Sequence, residues 1–154
     1  YLDYETFIAG QGTDDVTDFR EVQNTPEWSA SGTLDYTVPA AGGRLNLNTT
    51  LSYRSKTFQF EIPDEFFDQP GYALLDANIV WRAPGNRWQI GLHGKNLTDE
   101  RYITSGYNFL SRNLVTGDPV LVNGNFVSGT GAEGTVTAFY GNPRQLWLSV
   151  GYRF

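Results

Sequence analysis

Residues 44–53 read Arg-Leu-Asn-Leu-Asn-Thr-Thr-Leu-Ser-Tyr, and their side chains alternate in character along the whole stretch. One side carries Leu45, Leu47, Thr49, Leu51 and Tyr53, and the other carries Asn46, Asn48, Thr50 and Ser52. A period of two residues over ten positions is typical of a β-strand with one face in an apolar environment.

The same alternation continues on both sides of this stretch. Residues 28–38 precede it, and the segment 39–43, Pro-Ala-Ala-Gly-Gly, predicts a short turn that makes the two stretches a hairpin. A second hairpin is predicted from residues 72–82 and 88–97 with a turn at 83–87; the parity changes near residues 94–96, where we expect a β-bulge. A last strand over about 138–154 and a partial strand over residues 1–8 give six strands. The chain is therefore predicted to be all-β and antiparallel.

The connections between these strands indicate a membrane. Two short turns alternate with long segments at about 9–25, 58–70 and 104–138, which carry net charges of −3, −4 and −1. Strands of about 9–11 residues with short turns on one rim and long loops on the other are typical of outer-membrane β-barrels. Aromatic residues of the apolar face also fall near both strand ends, as in interfacial girdles: Tyr36, Trp81, Trp88, Tyr152 and Phe154 toward the short turns, and Trp28 and Tyr53 toward the long segments.

Other arrangements share this alternation. A soluble β-sandwich or a lipocalin-like binding module would have the same pattern, with the apolar face as its core. A passive porin-like or small structural barrel is a further alternative. Because six strands enclose too narrow a ring, or leave two open edges in lipid, we expect more strands to precede Tyr1 in a membrane protein.

Composition excludes several functional classes. The formal charge of −6 argues against a general nucleic-acid binder, and the absence of Cys excludes disulfides and thiolate metal sites. No apolar run reaches the roughly 20 residues of a membrane helix. The single His, His93, has no His or Cys companion for a metal site, and no nucleophile has a His and an acid in phase with it. We therefore predict neither an enzyme nor a cofactor nor a bound metal.

Several segments resemble a known family. Residues 88–102 (WQIGLHGKNLTDERY), the step Gly141-Asn-Pro-Arg144 and the terminal strand ending at Phe154 are similar, in that order, to the carboxy-terminal end of TonB-dependent outer-membrane receptors. Residues 24–28 and 71–76 also resemble the family's upstream strands. The resemblance implies that residues 1–154 form the carboxy-terminal portion of the barrel, about the last six strands of 22, without the plug domain and the earlier strands.

The resemblance also implies a function and partners. Members of this family import scarce, bulky solutes, most often ferric siderophores, across the outer membrane of Gram-negative cells, energised through TonB, ExbB and ExbD. The terminal residues Leu146, Leu148, Val150, Tyr152 and Phe154 resemble the signal that the outer-membrane assembly machinery recognises. Outer-membrane lipid and lipopolysaccharide are the expected surroundings.

A substrate site is predicted in the loop from Ser105 to Ala138. Long loops without secondary structure are usually functional or disordered, and aromatic and Arg side chains suit catecholate-type or anionic ligands. The residues near its ends with this chemistry are Tyr107, Asn108, Phe109, Arg112 and Tyr140. A surface loop without ligand contacts is the alternative.

Overall fold

A computed structural model describes residues 17–112, 118–128 and 135–154, and this part of the chain is built from β-strands. The long strands are β1 (Ser29–Ala40), β2 (Gly43–Arg54), β3 (Tyr72–Arg82), β4 (Trp88–Lys95) and β9 (Gln145–Tyr152). The short strands are β5 (Ile103–Asn108), β6 (Leu121–Val122), β7 (Asn125–Phe126) and β8 (Val136–Tyr140), and 3-10 turns lie at Thr17–Phe19 and Pro84–Asn86. No helix in the described ranges is long and apolar enough to cross a membrane.

The long strands form one antiparallel sheet in the order β1-β2-β3-β4-β9. Its register joins the apolar positions of neighbouring strands into rows. The central row runs across the sheet through Tyr36, Leu47, Ile79, Leu92 and Leu148, each directly opposite the next. The equivalent polar row runs through Asp35, Asn48, Asn78, His93 and Trp147. The facing that the alternation predicted is therefore confirmed on all five strands.

The apolar face is uncovered in the described part of the chain. Leu34, Leu51, Leu92, Leu148 and Val150 are each at least half exposed, with Leu34 at 70%. Among the described residues, the buried hydrophobic side chains are Phe67, Val80 and Leu110. A sandwich folded within these residues would bury the apolar face, so it does not describe this sheet.

Residues with positive φ form the two tight turns. Ala41 and Gly42 connect β1 to β2 with φ of 49° and 73°, the mirror-image turn that matches the twist of a two-residue hairpin. Between β3 and β4, Gly85 and Asn86 have φ of 71° and 56°. The predicted turns at 39–43 and 83–87 are confirmed in place.

The strand order puts both tight turns at one end of the sheet, here called the turn rim. The connection from β2 to β3 and the excursion from β4 to β9 lie at the other end, the loop rim. Residues that precede β1 also reach the loop rim, where Glu21 N–H donates to Glu61 O and Asn24 N–H donates to Phe58 O. The sheet is open, with β1 and β9 at its edges.

Two details differ from the sequence-based predictions. The segment 104–138 is not structureless, because β5 pairs with β8 and β6 pairs with β7 within it. The strand predicted over 138–154 is two strands, interrupted at residues 141–144. The partial strand predicted over residues 1–8 lies outside the described residues and stays a prediction.

The predicted bulge near residues 94–96 is a strand end. β4 stops at Lys95, and Asn96 takes a positive φ of 48°. Leu97 N–H then donates to Leu75 O, although the β3–β4 register would have placed Asn96 there. The one-residue slip in parity is thus confirmed, and its cause is the left-handed residue that ends the strand.

Candidate functional site

Asn96 lies at the joint between the five-stranded sheet and the β5–β8 hairpin. Its side chain is 5% exposed, and its Nδ2 donates to the carbonyl oxygens of Glu100 and Asn142 at 2.8 and 3.0 Å. Its Oδ1 accepts the Glu100 N–H, and its own N–H donates to Asp76 Oδ1. Through its side-chain amide and its backbone N–H, Asn96 ties three chain segments together, which satisfies backbone groups that the strand break leaves without partners.

The rest of the joint is aromatic and acidic. Asp99 Oδ1 accepts the Arg144 N–H at 2.9 Å, and the Tyr102 ring stacks on Tyr72 with 4.5 Å between ring centroids. Gly141 lies against the Tyr102 ring so closely that a Cβ there would be 2.0 Å from the ring carbon Cζ. Burial raises the pKa of the Tyr102 phenol, and Tyr72 and Asp76 add to the increase. These contacts fix the direction in which the β5–β8 hairpin leaves the sheet.

Asp64 organises the loop rim from the connection between β2 and β3. It is 6% exposed, and its Oδ2 accepts hydrogen bonds from Arg112 Nη2 at 2.6 Å and from Asn108 Nδ2. Its Oδ1 accepts the Phe66 N–H, which closes the local turn. Phe67 is fully buried nearby and packs against Gly106, where a side chain would overlap its ring. The carboxylate thus anchors the β5–β8 hairpin to the β2–β3 connection.

A cavity of about 350 Å³ lies beside this anchor. Its charged lining comprises two ion pairs, Arg112 with Asp64 and Arg20 with Glu61, the latter at 3.7 Å. Its apolar lining comes from Phe60, Ile62, Pro63 and Leu110. The cavity can accept an apolar or aromatic group beside paired charges.

The predicted substrate residues form two pairs, and Tyr140 lies apart from both. Asn108 and Arg112 line this cavity and are engaged by Asp64. Tyr107 is 58% exposed and contacts Phe109 and Phe139, with 6.0 Å between centroids in each pair. Tyr140 lies apart from them under the Arg101 guanidinium, 4.1 Å from its ring centroid. The structure therefore brings Tyr107 and Phe109 together on one exposed aromatic surface, separate from the polar pair and from Tyr140.

His93 belongs to a hydrogen-bonded row on the polar face. Its Nδ1 lies 2.8 Å from Asn78 Oδ1, its Nε2 lies 2.9 Å from Ser149 Oγ, and its ring stacks on Trp147. Both ring nitrogens are thus occupied by protein partners. In the described ranges no group of three or more His, Cys, Asp or Glu residues could hold a metal ion.

The residues of the predicted assembly signal lie on one edge of the sheet. Leu146, Leu148, Val150 and Tyr152 alternate on the apolar face of β9, and each is at least 45% exposed. Trp88 and Tyr152 contact at 4.7 Å, and Phe154 follows with its ring edge-on to Tyr152. Within the described residues the outer edge of β9 has no partner strand, so its backbone groups are presented together with these side chains.

Three of the residues that organise this region are not singled out by the sequence patterns. Asn96 and Asp99 were noticed only as part of a resemblance, yet their spacing around a strand end is a capping signal that side-chain chemistry could have indicated. Asp64 was counted only as one acid in a charged segment. Nothing local distinguishes it from Glu65 or Asp68, because its partners Asn108 and Arg112 are more than forty residues away.

Comparison with known proteins gives one structural similarity to report. No family model and no curated protein matches the chain. The fold is similar to the crystal structure of the ferric yersiniabactin uptake receptor FyuA from Yersinia pestis, with a TM-score of 0.61 and 21% sequence identity. The match covers 86% of this chain and 17% of that chain, so this chain spans about a sixth of the receptor's length. At this level of sequence identity the similarity bears on the fold.

Proposed function

We propose that this chain is the carboxy-terminal wall of an outer-membrane β-barrel receptor that imports a metal chelate of the ferric-siderophore type and is energised through TonB. The observation that carries the proposal is the sheet with two unlike faces. Five antiparallel strands present a continuous, exposed apolar face on one side and a hydrogen-bonded polar face on the other.

Lipid is the partner that fits the apolar face. Its rows extend over β1 to β4 and β9 without a charged side chain, and aromatic residues stand near the ends of the strands. A contiguous exposed apolar surface that extends over five strands is rare on soluble monomers. In a bilayer the same surface replaces lipid–lipid contacts, while the polar face lines an aqueous lumen.

The proposed orientation follows from the two rims. Short turns of outer-membrane barrels face the periplasm and long loops face the outside. The loop rim, with the Asp64 anchor and the aromatic residues Tyr107 and Phe109, would then meet the incoming chelate. Similarity to a ferric yersiniabactin uptake receptor is consistent with this type of solute.

Ligand contact is proposed for the exposed aromatic surface. Tyr107 and Phe109 stand free to stack on an aromatic chelator, whereas Asn108 and Arg112 hold Asp64 and shape the cavity beside it. TonB, ExbB and ExbD would act through parts of the protein outside this chain.

Uptake by living cells tests the proposal. Cells that carry the intact gene are supplied with radiolabelled ferric siderophores, in a tonB⁺ and a tonB-deleted background. Accumulation that requires both the gene and tonB is expected. Entry of small solutes that does not depend on tonB would instead identify a passive barrel, and the proposal would be wrong.

The proposed contact residue has a matched control in the chain. Tyr107→Ala removes an aromatic ring that is 58% exposed at the loop rim, and Tyr36→Ala removes one that is 57% exposed on the apolar face. Losing an aromatic contact weakens binding by about 2- to 12-fold. Tyr107→Ala is therefore expected to raise the apparent Kd for the imported chelate by that factor, with Tyr36→Ala unchanged. Equal affinities for the two variants would remove Tyr107 from the site.

A further inference from the structure

Three Arg side chains collect at the turn rim on the polar face of the sheet. Arg44 comes from β2, Arg82 comes from the end of β3, and Arg153 follows β9. They line a polar cavity of about 390 Å³ together with Thr37, Asn86 and Gln89. This cluster is at the opposite end of the strands from the Asp64 anchor, and transport as proposed above makes no use of it.

The register forces two of these charges together. Arg44 lies directly opposite Arg82 on the neighbouring strand, and Gln89 is the next residue in the row. Arg153 lies two residues beyond this row, which ends at Gly151, and its N–H donates to Arg87 O at 2.9 Å. Its side chain lines the same cavity as Arg44 and Arg82. Like charges directly opposite each other destabilise an antiparallel pair. The sheet therefore contains a repulsive contact that an anion would relieve.

No acid relieves it within the described residues. The ion pairs there involve Arg20, Lys56 and Arg112, all at the loop rim, and none involves the three Arg residues of the cluster. The nearest acid on this face in the β1 rows is Asp35, four residues and roughly 13 Å along the strand from the row of Arg44. Its carboxylate oxygens already accept hydrogen bonds from Asn46 and Asn48.

We infer that Arg44, Arg82 and Arg153 form a binding site for an oxyanion, a carboxylate or a phosphate group, at the turn rim. Guanidinium groups bind both anions through paired N–H donors. Gln89, Asn86 and Thr37 add neutral side chains that can donate hydrogen bonds without repelling the ligand. The anion has two possible sources. It is either an acidic side chain elsewhere in the same protein or a free solute anion, and the chemistry of the site is the same for both.

Thermal unfolding of the protein as its gene encodes it, purified in detergent, tests the inference. The variants are Arg82→Gln and the double variant Arg44→Gln/Arg82→Gln. Arg87→Gln is the control, because Arg87 belongs to the same rim but does not line the cavity. Each protein is measured in chloride buffer and again with millimolar inorganic phosphate at matched ionic strength.

Two results support the site and separate its sources. With a free anion, phosphate raises the unfolding midpoint of the wild type and of Arg87→Gln by about 2–4 °C and leaves the double variant unchanged. With a resident carboxylate, phosphate has no effect, and Arg82→Gln lowers the midpoint by a similar amount while Arg87→Gln does not.

Two other results overturn the inference. In the first, phosphate has no effect, and the unfolding midpoint of Arg82→Gln is higher than that of the wild type or equal to that of Arg87→Gln. This result would show that no anion is bound between the Arg side chains. If phosphate stabilises the double variant as much as the wild type, it binds elsewhere on the protein.

Discussion

Replacing Leu47 by Arg places a charge in the middle of the apolar face. Leu47 is the fifth of twelve residues in β2 and lies between Tyr36 and Ile79 in the central apolar row. At about 3.3 Å per residue and a tilt of about 45°, it is roughly 9 Å inward from Gly43, well inside an apolar band about 25 Å tall. An Arg on the lipid face near the midplane costs about 2–4 kcal/mol. The equilibrium constant for folding into the bilayer should therefore fall by about 30- to 700-fold.

The matched control is the adjacent residue, which faces the other way. Asn48 Nδ2 donates to Asp35 Oδ2 at 3.1 Å on the polar face. Asn48→Arg loses that hydrogen bond and gains an ion pair with the same carboxylate, so we expect a net change within about 1 kcal/mol.

Denaturant unfolding in lipid vesicles, followed by Trp fluorescence, measures both variants in the protein as its gene encodes it. The expected result is a large loss of stability, or no insertion, for Leu47→Arg only. Equal effects at positions 47 and 48 would refute the assignment of the apolar face to lipid.

A deletion and two substitutions test the proposed assembly signal and the packing of the joint around Asn96. Deleting Phe154 should lower the outer-membrane level of the protein, measured by immunoblot of membrane fractions, because it removes the end of the proposed assembly signal; an unchanged level would remove that role. Asn96→Ala should cost about 2–3 kcal/mol in denaturant unfolding because it removes three hydrogen bonds, at about 1 kcal/mol each, from a buried side chain to the backbone of Glu100 and Asn142. Asn125→Ala at an exposed tip should change stability by less than about 0.5 kcal/mol. Gly141→Ala should destabilise by about 1–3 kcal/mol because its Cβ would overlap the Tyr102 ring; Gly151→Ala, whose Cβ would meet only Gln89 at 3.9 Å, should have little effect, and similar losses for both would contradict the close packing at the joint.

The sheet was predictable because its information is local. Parity along residues 44–53 assigned each side chain to a face, and turn residues such as Gly42 and Gly85 marked the hairpins. Register then follows, since a one-residue slip would exchange the two faces. The pairing of Leu47 with Tyr36 follows from the alternation and the position of the tight turn, whereas its pairing with Ile79 spans the long connection from β2 to β3 and does not.

The loop rim was not predictable in the same way because its contacts are distant in sequence. The β5–β8 pair brings Tyr107 opposite Thr137, thirty residues later in the chain. These short strands lack a clear alternation of apolar and polar residues. One side packs on the β2–β3 connection through Gly106, and the other side is exposed but carries aromatic residues. A loop interpretation of residues 104–138 was therefore natural and wrong.

The predicted substrate residues show the same limit. Their types suggested ligand chemistry, but the pattern could not reveal that Asn108 and Arg112 share Asp64, or that Tyr140 pairs with Arg101 instead of Tyr107. Side-chain chemistry identifies what a residue can bind, and only the fold determines which partner is within reach.

Accessibility along β2 tests the central claim most directly, that one face of this sheet contacts lipid and the other water. The chain has no Cys, so single Cys residues at positions 45–53 can carry nitroxide labels at defined sites in the membrane-embedded protein. The account predicts that collisions with dissolved oxygen peak at positions 45, 47, 49, 51 and 53, and that collisions with a water-soluble nickel chelate peak at the positions between them. Labels at the first set that both reagents fail to reach would mean that the apolar face is packed against protein, and the barrel account would be wrong.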